Sequence, residues 1–367
     1  MSNNSILFIL HLPPPVHGAS MMGKYIKDSK LINSNLTCTY INLSTAKDFK
    51  DISKFKFKKI LSLFKLLIRI FKQIKKEKPN LVYITPNAKG CPFYKDFIVV
   101  QFLKFLNCKI VAHYHNKGVS NRQDKKFDNF LYKQFFKNLK VILLSDILYQ
   151  DIAKYVNYKD VYICPNGIPE ISIQTNKTNN NKPEVLYLSN LQMEKGIIDV
   201  LDACSILKAK GYDFNCNIIG SETSEISVEM LSDEINKRNL TDKVYYLGKK
   251  YGEEKDFFYK KTDIFVFPTY YHNECFPVVL LEAMQHSCVC ISTNEGGIPD
   301  IIENNINGFI VEKKDPSFLA DKIESLINDK ELMERMKKSS REKFEKNFTI
   351  ENYEQNIYSI IKQLINE

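Results

Sequence analysis

Short apolar runs alternate with longer stretches of helical spacing along the whole chain. The runs lie at residues 6–10, 81–84, 109–116, 141–145 and 161–164, and then at 185–191, 216–219, 244–247, 264–267, 289–292 and 309–311. Apolar runs of this length between turn residues are typical of strands in a parallel sheet covered on both faces. The polar stretch 174–182 separates the two sets. The pattern therefore predicts an α/β protein with two doubly wound domains, residues 1–170 and 171–350, whose ligands lie off the carboxyl ends of the strands in a cleft between them.

Two carboxylates interrupt the most apolar part of the second set. After the predicted strand 264–267 comes a polar and aromatic loop with Glu274, and then a helix that Pro277 is suited to begin. Glu282 is flanked by apolar residues inside this helix. Because an unpaired buried carboxylate is costly, Glu282 should have a partner from the protein or from a ligand. The helix alone equally allows a structural role at a loop or core edge.

Two further candidate binding positions lie in the first set of strands. Gly18 lies just before a helix predicted to begin near Ala19, where the backbone can approach an anion. The spacing of Gly18, Gly23 and Lys24 approaches a P-loop, but Tyr25 stands where a hydroxyl ligand of the metal belongs, so we reject a nucleoside triphosphatase. His113 and His115 lie at the end of the apolar run 109–116, and strand alternation places both on the same side. A core histidine is the default interpretation for either.

The composition bears on whether the chain contains disulfides or binds a metal. Apolar residues make up 44% and charged residues 26% of 367 residues, which are globular values. The nine cysteines include no C-x-x-C pair, and the chain has no D-x-D sequence. We therefore expect neither a disulfide framework nor a zinc site, and the case for a carboxylate-held divalent metal is weak.

The charge is divided unevenly along the chain. Residues 1–170 contain 28 Lys and Arg against 11 Asp and Glu, whereas residues 171–367 contain 24 against 32. Lys54 and Lys78 bound a basic segment with helical apolar spacing, which suits either an anionic membrane surface or an ordinary packed helix with a solvated lysine face. No signal peptide or membrane span is visible, so we expect a cytoplasmic protein, on the inner face of the membrane if the basic segment binds lipid, and no nucleic acid partner.

Several motifs, in order, resemble one family. They are Pro165-Asn166-Gly167-Ile168, Lys195-Gly196, Gly220, Glu274-x7-Glu282 with Phe276-Pro277 between them, Glu295-Gly296-Gly297-Ile298-Pro299-Asp300 and Asn307-Gly308-Phe309. Together they are similar to the retaining glycosyltransferases of family 4, the group 1 glycosyl transferases, over nearly the whole chain. The resemblance implies the GT-B fold, two Rossmann-like domains facing each other across a cleft, with the helix 351–367 crossing back to the first domain.

The resemblance also implies roles for single residues. Glu282 would accept hydrogen bonds from the ribose of a nucleotide sugar, and Glu274 would hold hydroxyls of the donor sugar. Lys195 and the helix start at Gly18 would bind the diphosphate, while His115 would contact the donor sugar. The remaining donor-binding positions it implies are Asn190, Gly220 and Phe276. Many members carry an arginine at the place of Asn190, so charge compensation here would rest mainly on Lys195 and helix dipoles.

The predicted function is transfer of a sugar, with retention, from a nucleotide diphosphate sugar to a saccharide or lipid-linked saccharide in bacterial envelope polysaccharide synthesis. The same resemblance implies no cofactor and no metal. Two alternatives are a nucleotide-sugar epimerase of the same fold and, outside enzymes, a membrane-surface scaffold. Glu274, Glu282 and Lys195 argue against the scaffold.

Overall fold

The computed structural model describes residues 4–43, 56–171 and 182–367, and for residues 56–59 only the backbone. Most of the predicted linker 174–182, and residues 54 and 55 of the basic segment, lie outside the described residues. The chain divides into two compact units. The first comprises Met1–Gly167 and Ile350–Glu367, and the second comprises Ile168–Thr349.

In its described part the first unit contains a six-stranded parallel sheet in the order β2-β1-β3-β4-β5-β6. The strands are β1 (Ser5–Leu10), β2 (Thr37–Asn42), β3 (Leu81–Ile84), β4 (Ile110–His113), β5 (Lys140–Leu143) and β6 (Val161–Ile163). The helices are α1 (Gly18–Asp28), α2 (Lys30–Asn35), α3 (Lys56–Glu77), α4 (Gly90–Phe105) and α5 (Lys126–Phe136). β1, β3 and β4 are buried along their whole length, as expected of central strands covered on both faces.

The second unit repeats this architecture in the order β12-β11-β10-β7-β8-β9. Its strands are β7 (Glu184–Leu188), β8 (Asn215–Ile219), β9 (Val244–Tyr246), β10 (Ile264–Phe267), β11 (Val289–Thr293) and β12 (Gly308–Val311). The helices are α6 (Ile197–Ala209), α7 (Val228–Lys237), α8 (Gly252–Lys261), α9 (Val278–Gln285), α10 (Ile298–Ile301), α11 (Pro316–Asn328) and α12 (Lys330–Asn347). Two successive parallel sheets with helices confirm the predicted α/β class.

The last helix, α13 (Ile350–Asn366), belongs to the first unit and packs against α1, α2 and β3. Its buried positions follow helical spacing and are Tyr353, Ile357, Ile360, Ile361 and Leu364. At its end the Glu367 carboxylate accepts a hydrogen bond from the Tyr162 hydroxyl at 2.8 Å. The apolar stripe read from the sequence is therefore the face that packs.

Two details differ from the prediction. β2 was missed, because its positions are mostly half exposed and give no apolar run, although it pairs in parallel with β1 from Ser5 to Leu10. Pro277 has an extended backbone and caps α9, which begins one residue later at Val278. Within the described ranges, no helix is long and apolar enough to cross a membrane.

Candidate functional site

An ion pair joins two of the predicted residues at the carboxyl ends of adjacent strands in the second unit. Lys195 closes a short 3₁₀ turn after β7, and Glu274 lies in the loop after β10. Lys195 Nζ is 2.6 Å from Glu274 Oε2, and the two side chains are only 14% and 12% exposed. The ammonium group also lies 4.1 Å from the centre of the Tyr271 ring. Residues 79 positions apart thus form one charged centre at the edge where doubly wound sheets keep their ligands.

Backbone contacts hold both sides of this pair. Gly196 has a left-handed backbone with φ +81°, and a Cβ there would lie 2.3 Å from the Pro268 carbonyl oxygen. Gly296 has φ +56°, and its Cβ would lie 2.4 Å from the Glu274 carbonyl oxygen. Any side chain at either glycine would force these loops apart. The glycines of the Lys195-Gly196 and Glu295-Gly296 motifs therefore position the charged residues.

Glu282 on α9 has the partner that its burial requires, and the partner comes from the protein. Lys255 Nζ lies 2.6 Å from its Oε1, and the Tyr259 hydroxyl donates to its Oε2 at 3.1 Å. Burial, followed by the nearby Glu282 carboxylate, raises the pKa of Tyr259 well above its usual value. A carboxylate has about four acceptor positions, so two contacts leave room for further donors. The Glu282 side chain is 20% exposed and so remains accessible.

The sequence interpretation missed Lys255 and Tyr259. They are four residues apart and so lie on one face of α8, which is the available signal. That spacing cannot say which carboxylate α8 meets, because Glu282 is more than twenty residues further along the chain.

Gly220 and Asn190 lie beside each other at the ends of β8 and β7. A Cβ on Gly220 would lie 1.7 Å from the Ser189 carbonyl oxygen, so the neighbouring strand end itself requires a glycine there. The Tyr246 hydroxyl donates to the Gly220 carbonyl at 2.9 Å. Asn190 is exposed just beyond β7. The glycine is thus explained by packing, while Asn190 is open to solvent on the ligand edge of the sheet.

Phe276 lies in the loop between Glu274 and α9. The ring is buried, with its centre 5.8 Å from that of Phe348 in an edge-to-face arrangement. The donor-binding role of Phe276 stays a prediction.

His115 is half-buried in the first unit, two residues after β4 ends at His113. The two imidazole rings are adjacent, with centres 4.2 Å apart, and the Tyr83 hydroxyl is hydrogen-bonded to His113 Nδ1. Burial lowers the pKa of His115 to about 4 and that of His113 well below its ordinary value. Both rings are therefore neutral at physiological pH.

Two further histidines, His11 and His17, follow β1 and were overlooked. His17 caps α1: its Nδ1 accepts from the Ser20 N–H at 3.3 Å, so the ring proton is on Nε2. The Asn87 amide nitrogen donates to Asp96 Oδ2 at 2.8 Å and lies 3.3 Å from His11 Nε2, which must accept. Burial, and then the charge of Lys95, lower the pKa of His11 to about 3. His11 directly follows the buried strand β1, and His17 directly precedes α1, which were the available signals.

Gly18 begins α1 and has open space around it. Among the described residues, a Cβ there would meet no atom within 4 Å, whereas a Cβ on Gly23 in the same helix would lie 2.2 Å from the His11 carbonyl oxygen. The protein's own atoms thus require glycine at position 23 and leave position 18 free. Position 18 therefore has room for a bound molecule.

Metal ligands form no cluster in the described ranges: no group of three or more His, Cys, Asp or Glu side chains there is placed to hold an ion. The nine cysteines are free thiols. The positive charge at the carboxyl ends of β7 and β10 is supplied by Lys195.

Known proteins that are similar to this chain in sequence are glycosyltransferases. Residues 169–343 match the family "Glycosyl transferases group 1". The capsular polysaccharide biosynthesis glycosyltransferase CapM of Staphylococcus aureus is 29% identical over 310 residues, covering 79% of this chain and 78% of CapM. The amylovoran biosynthesis glycosyltransferase AmsK of Erwinia amylovora is 28% identical over 253 residues, covering 64% of this chain and 61% of AmsK.

Solved structures share the fold. A glycosyltransferase from Rickettsia africae aligns over 100% of both chains with a TM-score of 0.77 and 20% identity. Anabaena HepE in complex with UDP aligns over 98% of this chain and 100% of its own, with a TM-score of 0.75 and 14% identity. These likenesses confirm the predicted GT-B fold class.

Proposed function

We propose that this chain, whose residues 169–343 belong to the group 1 glycosyl transferases, moves a sugar with retention of configuration from a nucleotide diphosphate sugar to a saccharide or lipid-linked saccharide. The chain is a glycosyltransferase. The observation that carries the finer proposal is the Lys195–Glu274 ion pair, with Glu282 on the following helix. One cation and two accessible carboxylates along one sheet edge match the diphosphate, sugar and ribose of such a donor.

Each group has a chemical task in this proposal. Lys195 stabilises the negative charge that develops on the departing diphosphate, which is the electrostatic role that contributes most in sites of this kind. Glu274 accepts hydrogen bonds from donor-sugar hydroxyls and holds Lys195 in place. Glu282 accepts from the ribose hydroxyls with the lone pairs that Lys255 and Tyr259 leave unused.

The reaction balances without an added acid or base. The bond between the anomeric carbon and the diphosphate oxygen breaks, and the acceptor oxygen forms its bond to the same carbon on the same face. The acceptor proton passes to an oxygen of the leaving diphosphate. Positioning and charge stabilisation supply most of the acceleration.

The first unit supplies neutral hydrogen-bonding groups in this proposal. The pKa of His115 is lowered by burial, so its ring contacts the donor sugar as an uncharged imidazole. His17, whose proton is on Nε2, and the open α1 start at Gly18 together offer donors to the diphosphate.

The biological acceptor is proposed from the relatives. CapM and AmsK are named for capsular polysaccharide and amylovoran biosynthesis, which supports an acceptor from bacterial envelope polysaccharide synthesis. HepE was solved with UDP, so UDP-sugars are the donors to test first. We propose that neither a cofactor nor a metal takes part, and that the protein acts at the cytoplasmic side of the membrane.

The decisive test is a donor screen followed by product analysis. UDP-, GDP- and ADP-sugars are compared by thermal shift, and the best α-linked donor is then incubated with envelope saccharide acceptors. We expect one nucleotide to raise Tm, an α-linked product by NMR, and activity that persists in EDTA. An inverted product would exclude the retaining mechanism, and turnover of the donor without acceptor would indicate an epimerase. Binding without any transfer or epimerisation would favour the scaffold.

A further inference from the structure

Helix α3 carries two apolar faces, and the described residues cover only one of them. Leu66 and Ile70 are buried, with exposed fractions of 4% and 0%. On the other side, five large apolar side chains are between 40% and 66% exposed, namely Ile60, Leu61, Phe64, Ile68 and Phe71. Their spacing of mostly three and four residues places them in one stripe. An amphipathic helix packed on a sheet normally exposes its polar side, so this second stripe calls for a partner.

A row of cations runs beside the stripe. Lys65, Arg69, Lys72 and Lys76 are exposed and recur every three or four residues. Lys76 pairs with Glu77 at 3.0 Å, and Glu77 is the one acidic residue in α3. The solvent side of the helix is thus half apolar and half cationic.

Neighbouring helices extend the surface. α3 packs beside α4, and α4 packs beside α5. The connections through these helices run in one direction across the sheet, and right-handed crossovers therefore place all three on the same face. Phe105 ends α4 with 80% of its surface exposed, and Phe127 and Phe130 on α5 are 66% and 58% exposed. We call the exposed side of α3, α4 and α5 the apolar-basic face.

We propose that the apolar-basic face docks on an anionic lipid bilayer. Large apolar side chains clustered on a surface mark an interaction site, and cations interleaved with them are the pattern of helices that lie in a membrane interface. The phosphate headgroups would meet the cation row while the apolar stripe and the phenylalanines enter the acyl boundary. A second copy of the chain is a poor occupant, because its own cationic face would oppose this one.

The proposal is independent of the proposed reaction, so it is tested without donor or acceptor. Purified protein is sedimented with phosphatidylcholine vesicles and with vesicles containing 30% phosphatidylglycerol. Wild type should bind the anionic vesicles at least about tenfold more tightly, and high salt should weaken that binding. Arg69→Gln/Lys72→Gln should bind about 30-fold more weakly, since each cation near such a surface contributes about 1 kcal/mol.

The same unit offers a matched control. Lys27 and Lys30 are exposed on α1 and α2, whose connection runs the other way across the sheet and so lies on its opposite face. Lys27→Gln/Lys30→Gln removes the same charge and should change binding less than about threefold. Phe64→Ser/Ile68→Ser should also weaken binding at least about tenfold with Tm unchanged, because both side chains are already exposed.

The outcomes separate the possible occupants. Equal losses of vesicle binding in Arg69→Gln/Lys72→Gln and in Lys27→Gln/Lys30→Gln would show that only net charge matters and would overturn the proposal. So would equal binding to neutral and anionic vesicles. Light scattering of wild type and Phe64→Ser/Ile68→Ser without lipid tests the second copy: an oligomer that the substitution dissociates would show that the face is a protein interface instead.

Discussion

The Lys195–Glu274 pair permits a test that separates a structural ion pair from a functional one. The perturbations are Lys195→Met and Glu274→Gln, which remove one charge each and keep the side-chain size, together with the double variant. At 2.6 Å, with an effective dielectric constant of about 20, the direct attraction is about 6 kcal/mol before desolvation is subtracted. The side chains are 14% and 12% exposed, so much of that attraction is offset by the cost of removing both charges from water.

Each single variant leaves one largely buried charge without its partner, and we expect the free energy of unfolding to fall by about 2 kcal/mol in each. The double variant has no unpaired charge and should recover at least about 1 kcal/mol of the summed loss. Activity should behave differently. Removing a group that stabilises transition-state charge costs about 100-fold or more in kcat/KM, and the double variant should recover none of it.

The assay is urea unfolding and steady-state transfer for all four proteins. A control pair lies at the start of β10, the strand that Glu274 follows. There Lys337 Nζ is 2.8 Å from Asp263 Oδ1. Lys337→Met should lower stability similarly and leave kcat/KM within about threefold. Recovery of activity in the Lys195→Met/Glu274→Gln double variant would refute the functional role and leave the pair as a structural bridge.

Three further predictions use single sites. Gly18→Ala should leave Tm nearly unchanged and weaken donor binding, measured by calorimetry, at least about tenfold. As a control, Gly23→Ala should lower Tm because its Cβ would lie 2.2 Å from a carbonyl oxygen. The same donor affinity in Gly18→Ala as in wild type would exclude a ligand at this position. Glu282→Gln should weaken nucleotide binding more than it lowers kcat, and Tyr259→Phe should have a smaller effect of the same kind; an unchanged Kd in Glu282→Gln would contradict ribose binding. His115 has a pKa of about 4 in the folded protein, so the unfolded chain binds this proton first as pH falls. The contribution of His115 to stability is therefore complete above about pH 6.5 and is lost toward pH 4, about 3 kcal/mol in all. His115→Gln should reduce this loss of stability in urea titrations at several pH values.

The sequence by itself determined the strands along the chain wherever a strand is buried on both faces. Such strands are continuous apolar runs, and β1, β3 and β10 were read almost to the residue. β2 escaped because its half-exposed positions carry no such run. The motif residues Lys195, Glu274 and Glu282 were also readable, since glycine and proline mark the turn and the helix start beside them.

Only the tertiary structure decided which partners these residues have. The partner of Glu282 is Lys255 on α8, and that of Glu274 is Lys195, 79 positions away. The ring of Phe276 packs against that of Phe348. Local spacing reports which face of one element is buried, but it contains nothing about which distant element covers that face. Partner choice is set by the crossovers that bring strand ends together, and so it appears only when the chain is folded.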